Sequence, residues 1–203
     1  TGYFIKSGNS IVIDRKNQIS PSEKGDGTTT TGDFASAYIS HGTTPNDAGY
    51  EYVIIPKTTV ADMITFSNNM AVTSTAFYQV VKKNLTAHIV KYNTMYGYSF
   101  FGAGSHGTST PIQSNSAPCL VMTNQTGNNL ALSFVNPDLN FAANNGASQA
   151  SSIALTVNGE WNLSTSSGGT VNATVGTGIT TLTIQAKDGL PVDQYVMEVA
   201  ANG

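Results

Sequence analysis

The sequence predicts an all-β protein built as an antiparallel β-sandwich, and three observations carry that expectation. Apolar and polar residues alternate with period two over many short runs rich in Val, Ile, Thr, Tyr and Phe, the pattern of strands buried on one face. Charged residues make up only 10% of the chain, against roughly 25% in an ordinary soluble domain, and Thr, Ser, Asn and Gly stand in their place. Gly-Asn, Asn-Asn, Gly-Gly and Asp-Gly pairs punctuate the runs where turns are needed.

Taken in order, the alternating runs predict strands over residues 2–6, 10–16, 34–40, 50–55, 76–82, 86–92 and 96–101. A second set covers 118–123, 129–136, 152–158, 170–175, 179–186 and 192–199. Turns fall at Gly8-Asn9, 23–32, 93–96, 127–129, Gly168-Gly169 and Asp188-Gly189. One helix is expected after Pro56: Thr59 stands three residues before Asp62 as in a capping box, and Val60, Met63, Ile64 and Ser67 then share one face. The stretch from Gly102 to Pro118 is rich in Gly, Ser and Thr with two prolines and offers little to bury, so it reads as a boundary. The expected domains are therefore 1–108 and 109–203. No fixed-period repeat argues for a propeller or solenoid.

The bulk numbers exclude several functions. With 203 residues and 39% hydrophobic composition the chain is long enough to bury a core. Its nine basic residues are scattered, only Arg15 being arginine, and the net charge is −3. Phosphate neutralisation needs clustered cations, so nucleic acid is not an expected partner, and neither is an anionic membrane surface. No apolar run approaches the ~18 residues a bilayer span requires. Cys119 stands alone between apolar neighbours, so no intramolecular disulfide forms and the thiol is expected buried and inert. Sequons at Asn84, Asn124, Asn162 and Asn172 arise readily by chance in a chain of this composition. A first residue of Thr1, without a Met or leader, reads as a processed product or excised fragment.

Catalytic signatures are sparse. His88 lies in an alternating strand and reads as a structural imidazole, whereas His106 in the Gly/Ser/Thr stretch reads as an exposed loop residue. His41 is the ambiguous one. It directly follows the run FASAYIS, at a strand end where functional groups often sit, yet Gly42 and Pro45-Asn46 also describe a turn in which a histidine merely bonds to backbone. Zinc spacing, a nucleophile elbow and a phosphate loop are all missing from the pattern. The carboxylates Asp26, Asp33, Asp47, Glu51, Asp62, Asp138 and Glu160 are dispersed, so no cofactor is expected beyond the open case of a structural calcium. Tyr50, Tyr52, Tyr96, Tyr98 and Trp161 offer flat faces on which a pyranose could pack, although strand tyrosines more often fill a core.

Several separate stretches agree with one family. HGTTPNDAGYEYVIIP, FYQVVKKNLTAHIVKYNTMYGYSFF, APCLVMT at 117–123 and NPDLNF at 136–141 resemble the C-terminal part of the polysaccharide lyase family 8 enzymes, most closely the broad-specificity chondroitin sulfate ABC type. The likeness runs in order along the chain and is strongest from 34 to 141. It implies that 1–108 closes a large antiparallel sandwich and that 109–203 forms a smaller C-terminal β domain. It also implies a secreted or periplasmic bacterial parent that cleaves uronic-acid-containing glycosaminoglycans by β-elimination. In that family an Asn, His, Tyr and Arg from a helical toroid, with a Glu from the sandwich, do the chemistry, and none of those motifs stands in this chain. The resemblance therefore implies no catalytic residue here, places His41 in a His-Gly turn, and makes an upstream catalytic α-helical toroid of the same chain the expected partner beside the polysaccharide. His41, Tyr50, Tyr52 and Trp161 remain the candidates for substrate contact. A stand-alone carbohydrate-binding module and a structural sandwich of a surface adhesin are the competing readings.

Overall fold

The computed structural model describes residues 1–73, 76–137, 151–167, 170–186 and 193–199, and these form antiparallel sheets with one short helix. The all-β, sandwich expectation holds. The chain divides into two compact units, Thr1–Val72 and Thr73–Gly203.

In the first unit β1 (Gly2–Ile5) pairs antiparallel with β4 (Tyr52–Ile55), and β2 (Ser10–Pro21) with β3 (Thr29–Ser40). The β2–β3 ribbon is longer than the hydrophobic pattern suggests because pairing carries on through the polar half, up to Pro21 opposite Thr29. Its turn is held by Asp26, whose carboxylate accepts from the Thr28 amide at 3.0 Å, while Gly25 and Gly27 supply φ of +63° and +78°. That hydrogen bonding, from the Thr28 hydroxyl and amide, holds the Asp26 carboxyl below its usual range. One ribbon face carries Ile11, Ile13 and Ile19 opposite Ile39, Ala37 and Thr31.

The helix forms where expected, as α1 (Val60–Met70). The Asp62 amide donates to Thr59 Oγ1 at 3.2 Å and the Thr59 amide returns to Asp62 Oδ2 at 3.2 Å, which satisfies two of the donors a helix start leaves open. Phe66 meets Phe4 of β1 edge to face at 5.3 Å. The predicted apolar stripe Val60, Met63, Ile64 and Ser67 lines one groove with Tyr3, Phe4, Ile5 and Ile11. Even so, no described residue of the first unit is buried to core level.

The second unit is a two-layer sandwich. Its strands are β5 (Gln79–Lys83), β6 (Ala87–Tyr92), β7 (Met95–Phe100), β8 (Gly104–Ser105), β9 (Ile112–Asn115), β10 (Cys119–Thr126), β11 (Asn129–Val135), β12 (Ser151–Asn158), β13 (Trp161–Ser167), β14 (Val171–Gly176), β15 (Ile179–Ala186) and β16 (Asp193–Val199). One sheet runs β13-β16-β11-β10-β7-β6-β5 and the other β14-β15-β12-β9-β8. Register places every second residue inward: Ile89, Tyr98, Val121 and Phe134 line up across the first sheet, and Leu155 and Leu182 pair in the second. Together with Phe100, Ile112, Leu132, Ile153, Ile184 and Met197 they form one buried cluster drawn from both layers. At roughly 1.5–3 kcal/mol per fully buried large apolar side chain, this cluster is the main source of stability in the unit.

The expected boundary at 108/109 falls inside this unit. Strand β7 pairs with β10 across it, and the Gly102–Pro118 stretch contributes two strands of its own. Thr110, Ile112 and Asn115 within that stretch are all buried. Strand β13 was also not expected. The predicted turns at Gly168-Gly169 and Asp188-Gly189, the carboxylate Asp138 and residues 138–141 of NPDLNF lie outside the described residues.

Candidate functional site

Three of the four residues expected to contact substrate come together. His41 follows β3, Tyr50 lies in the loop before β4, and Tyr52 begins β4. The loop is turned by Gly42, at φ +77°, whose amide donates to Ser40 Oγ at 3.4 Å. Tyr50 and Tyr52 stack with ring centroids 5.9 Å apart, and His41 lies tilted at 6.3 Å from Tyr50. With Tyr3, Ser36 and the aliphatic floor of Ile13, Ala37 and Ile39 they line an open cavity of about 600 Å³.

No Lys, Arg, Asp or Glu lines that cavity. It offers flat apolar faces, an imidazole and phenol hydroxyls, so it suits a neutral, hydroxyl-bearing or apolar occupant. Abstracting a proton beside a carboxylate requires a base, an acid and a cation or dipole set to hold the developing charge. No Lys or Arg stands in the lining to supply such a cation.

Trp161 is placed elsewhere. It opens β13 with 5% of its surface exposed, its indole N–H donates to the Asn158 carbonyl at 2.7 Å, and its amide donates to Thr180 Oγ1 at 2.8 Å. The ring is buried in the core cluster and its polar handle is used there, so it presents no platform to a sugar. Tyr98 is likewise inward: its hydroxyl accepts from the Ile112 amide at 3.4 Å, and burial pushes the phenol up to about 12. Tyr96 stacks on Tyr98 at 6.1 Å.

The other two histidines exchange the roles their sequence context suggested. His88 is exposed and meets Phe101 edge-on at 5.0 Å. His106, read as an exposed loop residue, is half-buried and stacks on Phe100 at 4.4 Å. Lys82 Nζ donates to His106 Nδ1 at 3.1 Å and to the Ser105 carbonyl at 3.1 Å. An ammonium has no lone pair, so Nδ1 is the acceptor and the ring proton sits on Nε2, which donates to Asn115 Oδ1 at 2.7 Å. The Asn115 amide group then donates to the carbonyls of Gly102 at 2.8 Å and Ala117 at 2.7 Å. Burial, and secondarily the Lys82 charge, hold His106 below its usual range against the opposing pull of the Asn115 hydrogen bond. The signal that could have found this cluster is small: one β-branched residue, Ile112, spaced three from Asn115 in an otherwise polar run.

Cys119 is buried as expected, with its thiol pushed up to about 12 by burial. Asn84 is used as a local cap, its Oδ1 accepting from the amides of Thr86 at 3.0 Å and Ala87 at 2.9 Å. Among the described residues, no group of three His, Cys, Asp or Glu is placed to hold a metal ion, and no helix is long and apolar enough to cross a membrane.

The architecture defines an antiparallel, sandwich-forming β-region. No family model matches the chain. Among curated proteins it is 32% identical over 162 residues to the chondroitin sulfate ABC endolyase of Proteus vulgaris, a match covering 79% of this chain and 16% of that enzyme. It is 37% identical over 110 residues to the chondroitin sulfate ABC exolyase of the same organism, covering 53% of this chain and 10% of that one. Solved structures with the same fold include the Streptomyces coelicolor A3 chondroitin AC lyase, at a TM-score of 0.72 and 14% identity, covering 98% of this chain and 25% of that one. A Paenibacillus xanthan lyase aligns at 0.70 and 15% identity, over 98% and 19% of the two chains. The chain is thus a polysaccharide lyase-like β-region, and it spans about a sixth of the length of the first of these curated relatives.

Proposed function

We propose that this chain is the C-terminal, non-catalytic β-region of a secreted or periplasmic polysaccharide lyase of family 8 type, whose parent cleaves chondroitin- or hyaluronan-like glycosaminoglycans by β-elimination. The names of the two Proteus vulgaris relatives support the substrate class. The observation that carries the supporting role is the first unit's unfinished surface. Ile13 is 79% exposed, Ile19 71% and Tyr3 65%, and the 12-residue ribbon β2–β3 stands as a two-stranded sheet with neither outer edge paired among the described residues. An isolated two-stranded ribbon is marginal in water, and large apolar side chains this exposed on it mark a contact surface. The occupant in this reading is the upstream polypeptide of the parent, including its helical catalytic toroid.

Elimination is assigned to that upstream part because the His41 cavity has no cation to offset a uronate carboxylate. The test measures absorbance of unsaturated product from chondroitin sulfate. Residues 1–203 are expected to give no turnover while the parent chain turns over normally, and turnover by 1–203 alone overturns the reading. Amide exchange gives a second readout: residues 10–40 exchange rapidly in 1–203 and slowly within the parent.

The stacked Tyr50 and Tyr52 beside His41 favour one further reading, a carbohydrate-binding module that holds a neutral sugar in the cavity. Calorimetry with N-acetylgalactosamine and with a chondroitin disaccharide separates the two. Millimolar binding that vanishes in Tyr50→Ala supports the module, and its absence removes that reading without touching the first.

A further inference from the structure

The side of the second unit's sandwich is closed by polar side chains, a feature that goes beyond the proposed function. Strand β5 is the last strand of the seven-stranded sheet and β8 the last of the five-stranded one. Lys82 reaches from β5 to the Ser105 carbonyl of β8 and to His106 just beyond it, and His106 in turn holds Asn115 of β9. Below them the imidazole lies flat on Phe100 of β7, at 17° between planes. Lys82 thus joins the two edges twice, directly at the Ser105 carbonyl and through the His106 ring.

We propose that Lys82, His106 and Asn115 form a protonation-sensitive clasp that holds β8 against the sandwich while His106 is neutral and releases it when the imidazole gains its second proton. The geometry requires a lone pair on Nδ1, because the group facing it is an ammonium. Once protonated, Nδ1 becomes a donor pointing at another donor 3.1 Å away, and two positive charges share a half-buried site. Among the neighbouring groups, Phe100 on β7 and Asn115 on β9 are neutral, and Lys82 on β5 is the charged group that acts on the ring. Segment β8 is only two residues long, with its hold on β9 extended by the His106 amide donating to the Gln113 carbonyl at 2.7 Å. Release therefore needs few bonds to break, and it uncovers the edge of β9 and the Phe100 ring.

The sign follows from linkage. The folded clasp binds the proton less readily than an open imidazole, so closure is fully favoured above the ordinary histidine pKa and weakens as pH falls below it. Protection of the His106 amide, which donates to the Gln113 carbonyl, measured in residues 1–203 and corrected for intrinsic exchange, is expected to fall by up to about tenfold per pH unit below ~6.5, levelling off at the folded pKa. His106→Gln keeps a neutral donor and acceptor and is expected to show no such slope. Lys82→Met is expected to raise the His106 pKa followed by NMR while the core spectrum is unchanged. Protection independent of pH in the native sequence, an equal slope in His106→Gln, a proton on Nδ1 in the nitrogen spectrum, or an unmoved His106 pKa in Lys82→Met each overturns the proposal.

Discussion

Replacing Asn115 with Ala tests whether the Gly102–Pro118 stretch is a linker or a structural part of the sandwich. Asn115 is 5% exposed and its side chain makes three short hydrogen bonds, to His106, Gly102 and Ala117. A net 0.5–1.5 kcal/mol for each gives a loss of about 3 kcal/mol, and the carbonyls left behind in a half-buried setting push the figure upward. For a unit of this size 1 kcal/mol corresponds to about 3 °C in Tm, so a fall of about 10 °C is expected. Trp161 is the chain's single tryptophan and lies in the second unit, so its fluorescence during urea unfolding reports on that unit alone. Thr108→Ala, on the exposed part of the same stretch, serves as the control and should cost less than about 0.5 kcal/mol. A loss below 1 kcal/mol for Asn115→Ala, or equal losses for both variants, refutes the reasoning.

Three other outcomes are expected. Cys119 should leave Ellman's reagent unreacted at pH 8 in the native protein and react fully in denaturant, since burial raises the thiol to about 12 and hides it; stoichiometric reaction within minutes would contradict the core placement. Tyr98 keeps its proton more tightly when folded, with a pKa of about 12 against 10 for the free phenol, so its contribution is intact below pH 10. That contribution, about 2–3 kcal/mol, should be lost as pH rises from 10 to 12, as read by denaturant titration at stepped alkaline pH. Gly159 adopts φ +97° and an added Cβ would stand 2.6 Å from the Trp161 indole nitrogen, whereas Gly178 at φ +71° faces open space; Gly159→Ala should therefore cost at least about 2 kcal/mol and Gly178→Ala about 1. Equal costs in the two variants would show that the indole yields freely.

How far the sequence reads ahead depends on the range of the interaction. The capping box of α1 lies within four residues, and Thr59 with Asp62 specified it before any packing was known. Strand alternation is similarly local, and β6, β7, β10 and β12 stand close to where the pattern placed them. His41, Tyr50 and Tyr52 were legible as a group because they flank one loop. Trp161 was not, because its burial depends on Thr180 and Asn158, and a flat indole has the same letter whether it faces sugar or core. The Gly102–Pro118 stretch misled for a related reason: its composition is that of a linker, but hydrogen bonds from Asn115 and the apolar contact of Ile112 supply the order that its side chains lack in bulk.

The sequence by itself determined an all-β chain of low charge, one capped helix and a buried thiol, since each follows from residue type and short-range periodicity. Only the tertiary structure decided that β5 and β8 border one another, that His106 rather than His88 is the engaged imidazole, and that the described residues from 73 onward form one sandwich. Those outcomes rest on contacts between separate strands, such as that of Lys82 with His106, whose pairing is fixed by the shared burial of both sheets and is written in no local pattern.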